Sequence, residues 1–316
     1  MILADTIKLS LNNGNLVWKM MMYVFFALLI TLGLAVVCCY GLVNELINAG
    51  FFAEINTMIN NSFLNLHIGD ILVNFAHMIS ALGEILISNF VQVLPLLILL
   101  FVIVGVFGSF VFNLMHIPST ECIYGYMGSL SKLGFSGCFI RHIKLSIKYA
   151  LARTLIVLPY DIMMLWAVFG SMELYTLGGV WSVLASFVVI LVIVLLYALR
   201  NVLFGNWATS IVVKQCGVWA GLGDSVRDNF KVFRTNMPIS MVLVLIIVAL
   251  NMASVMFTAG VGLFLTIPCS MLLMYVFNNM MYFYGNGLRF YIDKDKIVSP
   301  RKIENYESIN TLKDII

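Results

Sequence analysis

The sequence predicts an all-α fold, a polytopic transmembrane helical bundle of about six spans. An apolar composition, long hydrophobic runs and a one-sided distribution of cations predict it. Apolar residues make up 62% of the chain and charged residues only 10%, with a mean hydropathy of +1.01. Because soluble domains usually carry about a quarter charged residues, the composition excludes an ordinary soluble globule.

Six hydrophobic runs are long enough to be spans. A helix needs about 20 apolar residues to cross a hydrocarbon core of about 30 Å. The predicted spans are residues 17–43, 90–114, 151–169, 180–199, 238–257 and 261–284. Pro159 and Asp161 interrupt the third run. The first run is too long for the apolar region of a cleaved signal peptide, which favours a retained span.

The cations determine the predicted orientation. All 18 Lys and Arg residues lie before or at the start of span one, between or at the edges of spans two and three, between four and five, or after six. Cytoplasmic loops collect Lys and Arg, so we predict a cell-membrane protein with both termini in the cytoplasm. The net charge of +3 then reflects membrane topology and favours contact with anionic lipid. We predict no nucleic acid partner.

Amphipathic segments precede spans one, three and five on the cytoplasmic side. We predict interfacial helices at residues 5–13, 138–150 and 224–236, half sunk in the inner leaflet with their cations reaching the headgroups. The predicted contacts with lipid headgroups or a protein partner are the six cations on the second and third basic stripes: Arg141, Lys144, Lys148, Arg227, Lys231 and Arg234.

The same segments predict internal hairpin repeats. Lys144 and Lys148 lie ten and fourteen residues after Gly134, and Arg227 and Lys231 lie equally far after Gly217. Residues 7–10 also have the same sequence, Ile-Lys-Leu-Ser, as residues 143–146. The predicted unit is an interfacial helix, a span outward, a loop and a span inward.

Two further segments flank this bundle of residues 1–288. Residues 44–89 are predicted to form an outer loop with an amphipathic helix running into span two. Residues 289–316 are predicted to be a charged cytoplasmic tail with a short terminal helix. The outer helix carries four side chains that could converge on a metal and support a metal-assisted enzyme: His67, Asp70, His77 and Glu84. A solvated polar face is the favoured interpretation, because zinc sites usually cluster their ligands more tightly.

Other catalytic patterns are missing from the sequence. It has no phosphate-binding Gly-x4-Gly-Lys-Ser/Thr loop and no Gly-x-Ser-x-Gly elbow. We therefore predict a protein that is not an enzyme and that needs no cofactor.

Asp161 is the strongest single candidate for a functional residue. An acid at mid-membrane costs about 2.5–3.5 kcal/mol, and Pro159 frees a backbone carbonyl nearby that could open a kink. Asp161 could be a proton or cation site, a counter-ion for Arg153 or Arg200, or a structural cap nearer an interface. The candidate intramembrane polar site comprises Asp161, Arg153, Arg200 and Asn251, the last as a polar side chain able to hydrogen-bond between helices.

Short motifs lie around the second and third basic segments: Pro118-Ser119-Thr120 with Tyr124, then Phe139 with Lys144 and Lys148 before residues 155–158, and a second segment at 210–236. These motifs resemble the YesL-like family of bacterial integral membrane proteins. The resemblance covers residues 7–43 and 107–245, and the chain departs from it in the outer segment and the longer tail. It implies a bacterial envelope protein with an accessory role in transport.

These observations predict a non-enzymatic accessory or scaffold protein of a bacterial envelope or transport system. It would contact anionic lipid and a partner, either another protein or a second copy of itself, through its basic helices. The alternative is a secondary transporter or lipid translocator that uses Asp161 as an intramembrane acid.

Overall fold

The computed structural model describes residues 2–38, 40, 41, 44, 47, 53, 56, 90–172, 179–258 and 260–300. The predicted terminal helix, the predicted outer amphipathic helix and its four candidate metal ligands, His67, Asp70, His77 and Glu84, lie outside these residues.

The described elements begin with α1 (Ile2–Asn12), α2 (Asn15–Cys38), α3 (Phe90–Leu100), a π-helical segment (Phe101–Gly108), α4 (Ser109–Asn113), α5 (His116–Ser129), α6 (Phe135–Arg141) and α7 (Ile143–Met172). They continue as α8 (Gly179–Phe204), α9 (Trp207–Lys214), α10 (Val218–Lys231), α11 (Phe233–Thr258) and α12 (Leu263–Gly285), followed by strands β1 (Phe290–Asp293) and β2 (Lys296–Val298).

The predicted all-α class is confirmed. Within the described residues, six helical stretches are long and apolar enough to cross a membrane: Asn15–Cys38, Leu94–Ser129, Ile143–Ala167, Phe187–Lys214, Phe233–Thr258 and Leu263–Gly285. The second and fourth differ most from their predictions, because they end 15 residues later, at Ser129 and Lys214 rather than at residues 114 and 199. In the third, α7 runs without a break through Pro159 and begins at Ile143 rather than at residue 151.

The predicted interfacial helices at 138–150 and 224–236 are each split in two. Single residues with non-helical backbone angles, His142 (φ −107°, ψ 18°) and Val232 (φ −109°, ψ 15°), separate α6 from α7 and α10 from α11. Lys144 and Lys148 therefore belong to the first two turns of α7, and Arg234 belongs to α11. We call the three places where a short helix precedes a span the first (α1–α2), second (α6–α7) and third (α10–α11) junctions.

The register of the predicted repeat does not follow the junctions. The short helix has seven residues in α6 and 14 in α10. Lys144 lies two residues after the break at His142, whereas Arg227, its predicted equivalent, lies five residues before the break at Val232. Aligned on the breaks, Lys144 corresponds to Arg234. The internal duplication itself stays a prediction.

The chain divides into two compact units, of which the first comprises Met1–Met20, His116–Leu145 and Asn201–Ile316. Its centre consists of α5, α9 and α12, which pack on one another, while α6 packs on α5 and α10 packs on α9 and α12. Trp207, Ile211 and Phe277 are almost fully buried there. The indole nitrogen of Trp207 donates a 2.8 Å hydrogen bond to the Val218 carbonyl and ties α9 to the start of α10.

A β-hairpin replaces the first part of the predicted cytoplasmic tail. β1 and β2 pair antiparallel, and Phe290 and Ile292 are buried on one face of β1, because alternate residues of a strand point the same way. The hairpin also holds α1: Lys8 Nζ lies 2.9 Å from Asp293 Oδ2, Lys296 pairs with Asp5, and the Asn12 amide donates to the Ile292 carbonyl.

The second unit comprises Met21–Met115 and Ser146–Arg200. The Tyr23 hydroxyl of α2 donates to the Val111 carbonyl of α4 at 2.7 Å, and the Asn113 amide of α4 donates to Thr154 Oγ1 of α7 at 3.1 Å. The Tyr160 hydroxyl of α7 donates to the Leu196 carbonyl of α8 at 2.8 Å. These bonds join neighbouring helices, and the last of them helps to position Asp161, the residue after Tyr160.

Candidate functional site

Asp161 forms a two-point ion pair in the second unit. Arg200 Nε of α8 lies 2.7 Å from Asp161 Oδ1 of α7, and Arg200 Nη2 donates to Asp161 Oδ2 at 2.9 Å. Both side chains are partly buried, at 33% exposure for Asp161 and 20% for Arg200. Of the two arginines weighed as counter-ions, Arg200 is the one in direct contact with the carboxylate.

The other two candidates of the intramembrane polar site have different partners. Arg153 Nη1 donates a 2.7 Å hydrogen bond to the Tyr149 hydroxyl, one turn earlier on α7. Asn251 belongs to the first unit, where its amide donates to the Ile247 carbonyl at 2.9 Å and to Ser270 Oγ at 3.3 Å. The structure therefore brings together Asp161 and Arg200, and gives Asn251 a bond between α11 and α12.

The pair determines what Asp161 can do chemically. One contact is a charge-assisted hydrogen bond, from Arg200 Nη2 to Asp161 Oδ2, and Arg200 Nε adds a second contact to Oδ1 at ion-pair distance. A carboxylate held in this way has both oxygens occupied and its charge matched. The geometry therefore favours a counter-ion that joins α7 to α8, rather than an open proton site.

The outer face of α10 combines aromatic and cationic side chains. Its buried stripe is small or polar, with Val218, Gly221 and Ser225 facing the unit. Trp219 and Phe230 point outward and are 65% and 61% exposed. Exposed Arg227 and Lys231 flank them. Exposed aromatic rings beside cations are typical of a surface that contacts a membrane interface or a protein partner.

The cations of this face are largely neutralised by acids. Arg227 Nη2 lies 3.1 Å from Asp224 Oδ1, and Lys231 Nζ lies 2.7 Å from Asp228 Oδ1. Lys214, at the end of α9, contacts both acids, at 2.8 Å and 3.5 Å. Burial works against the charge of Asp228, but the hydrogen bond from Lys231 and the charges of Lys214 and Lys231 outweigh it and hold the pKa of Asp228 below its usual value.

The depressed pKa of Asp228 predicts acid sensitivity. Ionised Asp228 stabilises the folded chain above the ordinary pKa of about 3.9, and this contribution is lost as the pH falls through the lower folded-state pKa. We expect the stability advantage of the wild type over Asp228→Asn to shrink as the pH falls below about 4. Urea unfolding in detergent at a series of pH values measures it. A difference that stays constant with pH would contradict the assignment.

The second junction is built differently. Arg141 Nη1 of α6 lies 3.2 Å from Glu121 Oε1 of α5, and His142 Nε2 lies 3.1 Å from the same oxygen. Beside them the buried thiols of Cys122 and Cys138 are 3.7 Å apart. Burial, followed by the neighbouring Cys122 and Glu121, raises the pKa of the Cys138 thiol, which keeps it protonated and poorly reactive.

Three of the six predicted contact cations have no carboxylate oxygen within 4.0 Å in the part of the chain that the structure describes: Lys144, Lys148 and Arg234. All three are exposed. The other three, Arg141, Arg227 and Lys231, are the ones that pair with acids.

Sequence reasoning missed the acids that neutralise these cations. Asp224 precedes Arg227, and Asp228 precedes Lys231, by the helical i, i+3 spacing, so both ion pairs could have been predicted from the sequence. Glu121 gave no such signal, because it lies 20 residues before Arg141 and on another helix. Across the described ranges, no group of three or more His, Cys, Asp or Glu side chains could hold a metal ion.

The fold and these sites define the class of the chain as a multi-pass integral membrane protein. No protein-family model, no curated protein and no solved structure matches the chain. The likeness to the YesL-like family therefore stays a prediction from short motifs.

Proposed function

We propose that the protein is a non-enzymatic accessory or scaffold protein of a bacterial envelope or transport system. It binds a protein partner through the outer face of α10 and contacts anionic lipid through its basic cytoplasmic segments. The observation that carries the proposal is the outer face of α10 itself, where Trp219 and Phe230 stand exposed beside Arg227 and Lys231.

The chemistry of this face supports a protein partner. Trp and Arg are the residue types most enriched among side chains that dominate binding energy at protein interfaces. The acids Asp224 and Asp228 hold Arg227 and Lys231 in place on the helix, so the face carries little net charge. A surface with aromatic anchors and balanced charge suits a protein better than a purely electrostatic ligand.

Site-specific photocrosslinking in native membranes tests the proposal. A photoreactive amino acid in place of Trp219 is expected to capture one discrete protein, which mass spectrometry identifies as another protein or a second copy of this chain. Trp166 on α7 is the matched control, because it is also a tryptophan and is 77% exposed, but lies within a candidate span. There we expect lipid adducts. The proposal would be contradicted if no protein adduct formed at position 219, or if the same protein adduct formed at both positions.

The second candidate function is a secondary transporter or lipid translocator. Its supporting observation is the Asp161–Arg200 pair, a charged contact between two candidate spans. If the protein is such a transporter, we expect substrate or proton flux in proteoliposomes, and we expect Asp161→Asn to abolish it. A flux unchanged by Asp161→Asn would reject a role for this acid.

A further inference from the structure

The three junctions differ in how many of their cations are neutralised. At the first, Lys8 pairs with Asp293 and only Lys19 of α2 lacks an acidic partner. At the third, Arg227 and Lys231 pair within α10, which leaves Arg234. These comparisons cover the residues that the structure describes. The junctions that look alike in sequence thus present different net charges.

The second junction keeps the largest positive charge. Arg141 pairs with Glu121, but Lys132 in the preceding loop and Lys144 and Lys148 on α7 are exposed and have no carboxylate within 4.0 Å in the described ranges. Lys144 and Lys148 lie one turn apart on one continuous helix. Like charges at this spacing repel each other and destabilise a helix, and a bound anion would remove that repulsion.

The apolar neighbours of these lysines indicate where the anion comes from. Ile140 of α6 and Ile143, Ile147 and Leu151 of α7 are all exposed, between 40% and 73%. An exposed aliphatic stripe beside lysines, continuous with a candidate span, is typical of a helix at the membrane interface, where the side chains reach headgroups. A soluble phosphate would leave this stripe in water.

We infer that the second junction binds the phosphate group of an anionic phospholipid through Lys144 and Lys148, while the third junction does not select for anionic lipid. The inference rests on the lipid half of the proposed function and assigns it to one of the basic segments. Its protein half, on the face of α10, is tested separately by the crosslink at Trp219.

Native mass spectrometry of the full-length protein, purified from vesicles of phosphatidylglycerol and phosphatidylcholine, tests this assignment. The measured quantity is the ratio of protein carrying phosphatidylglycerol to protein carrying phosphatidylcholine. In Lys144→Gln/Lys148→Gln we expect this ratio to fall by about fivefold per lysine, the effect of one cation near an anionic surface. The matched control Arg227→Gln/Lys231→Gln also removes two positive charges, and we expect a change of at most about twofold.

One further variant and one competition experiment keep the outcomes distinct. Lys144→Arg/Lys148→Arg retains the charge and is expected to retain the ratio, which separates binding from misfolding. An equal loss in the α10 control, a loss in the arginine variant, or release of lipid by inorganic phosphate beyond that by chloride at equal ionic strength would overturn the inference. A wild type without preference for phosphatidylglycerol would overturn the lipid half of the proposed function as well, whereas the Trp219 crosslink would stand.

Discussion

Arg200→Gln is expected to lower the free energy of unfolding by about 2–4 kcal/mol, less than the 3–5 kcal/mol typical of a fully buried pair because both groups are partly exposed. The substitution leaves Asp161 of α7 as an unmatched carboxylate next to α8. Arg200→Lys keeps the charge, but its single ammonium group cannot contact the two carboxylate oxygens through two separate nitrogens, as the guanidinium does. We expect it to recover only part of the loss. Unfolding in mixed detergent micelles, followed by circular dichroism, measures these differences.

A double-mutant cycle isolates the pair. Asp161→Asn/Arg200→Gln removes both charges, so we expect it to be more stable than Arg200→Gln alone, because no ion is left without its partner. Additive effects of the two substitutions would mean that the contact contributes nothing to stability. The same Asp161→Asn protein, assayed for flux, separates a structural counter-ion from the acid of a transporter.

Gly221→Ala is expected to destabilise the protein by about 1–3 kcal/mol, the usual cost of overfilling a packed core. A Cβ atom at Gly221 would lie 2.4 Å from Ile211 Cγ1. Ile211 is 1% exposed and branched at Cβ, so it cannot move aside easily. The new methyl group would therefore push α10 away from α9. Thermal unfolding of purified protein in detergent measures the effect.

Gly223→Ala is the matched control on the same helix. A Cβ atom there meets nothing within 4 Å, and its backbone is helical. Alanine favours a helix over glycine by about 1 kcal/mol, so we expect Gly223→Ala to be neutral or stabilising. Equal destabilisation by both substitutions would show that the close contact between α9 and α10 is not the cause.

Several features of the fold could be predicted from the sequence, because their signals are local. The six apolar stretches were found within a few residues at most ends, since hydrophobic length is a property of a continuous run. The helix predicted at residues 224–236 covers only the second half of α10 and the first turn of α11, and the orientation of α10 was not evident. Its aromatic residues Trp219 and Phe230 face outward, because its inner face must come close to Ile211 and accommodates only small side chains there.

Other elements lacked a local signal. The buried helices α5 and α9 are short and mix Ser, Thr and apolar residues, so no hydrophobic period distinguished them from loops. The hairpin was not predicted because only two residues of β1, Phe290 and Ile292, show the alternation of buried and less buried side chains that is typical of a strand. The breaks at His142 and Val232 carry no proline or glycine, which are the usual signs of a helix end.

The sequence by itself determined that this chain is a multi-pass membrane protein with basic amphipathic segments ahead of its spans, because composition and periodicity act over neighbouring residues. Only the tertiary structure decided which charges remain available. Asp161 meets Arg200 from 39 residues away, and Asp5 meets Lys296 from 291 residues away. Electrostatic neutralisation depends on distances of a few ångströms in space, and these emerge only when the helices and the hairpin come together.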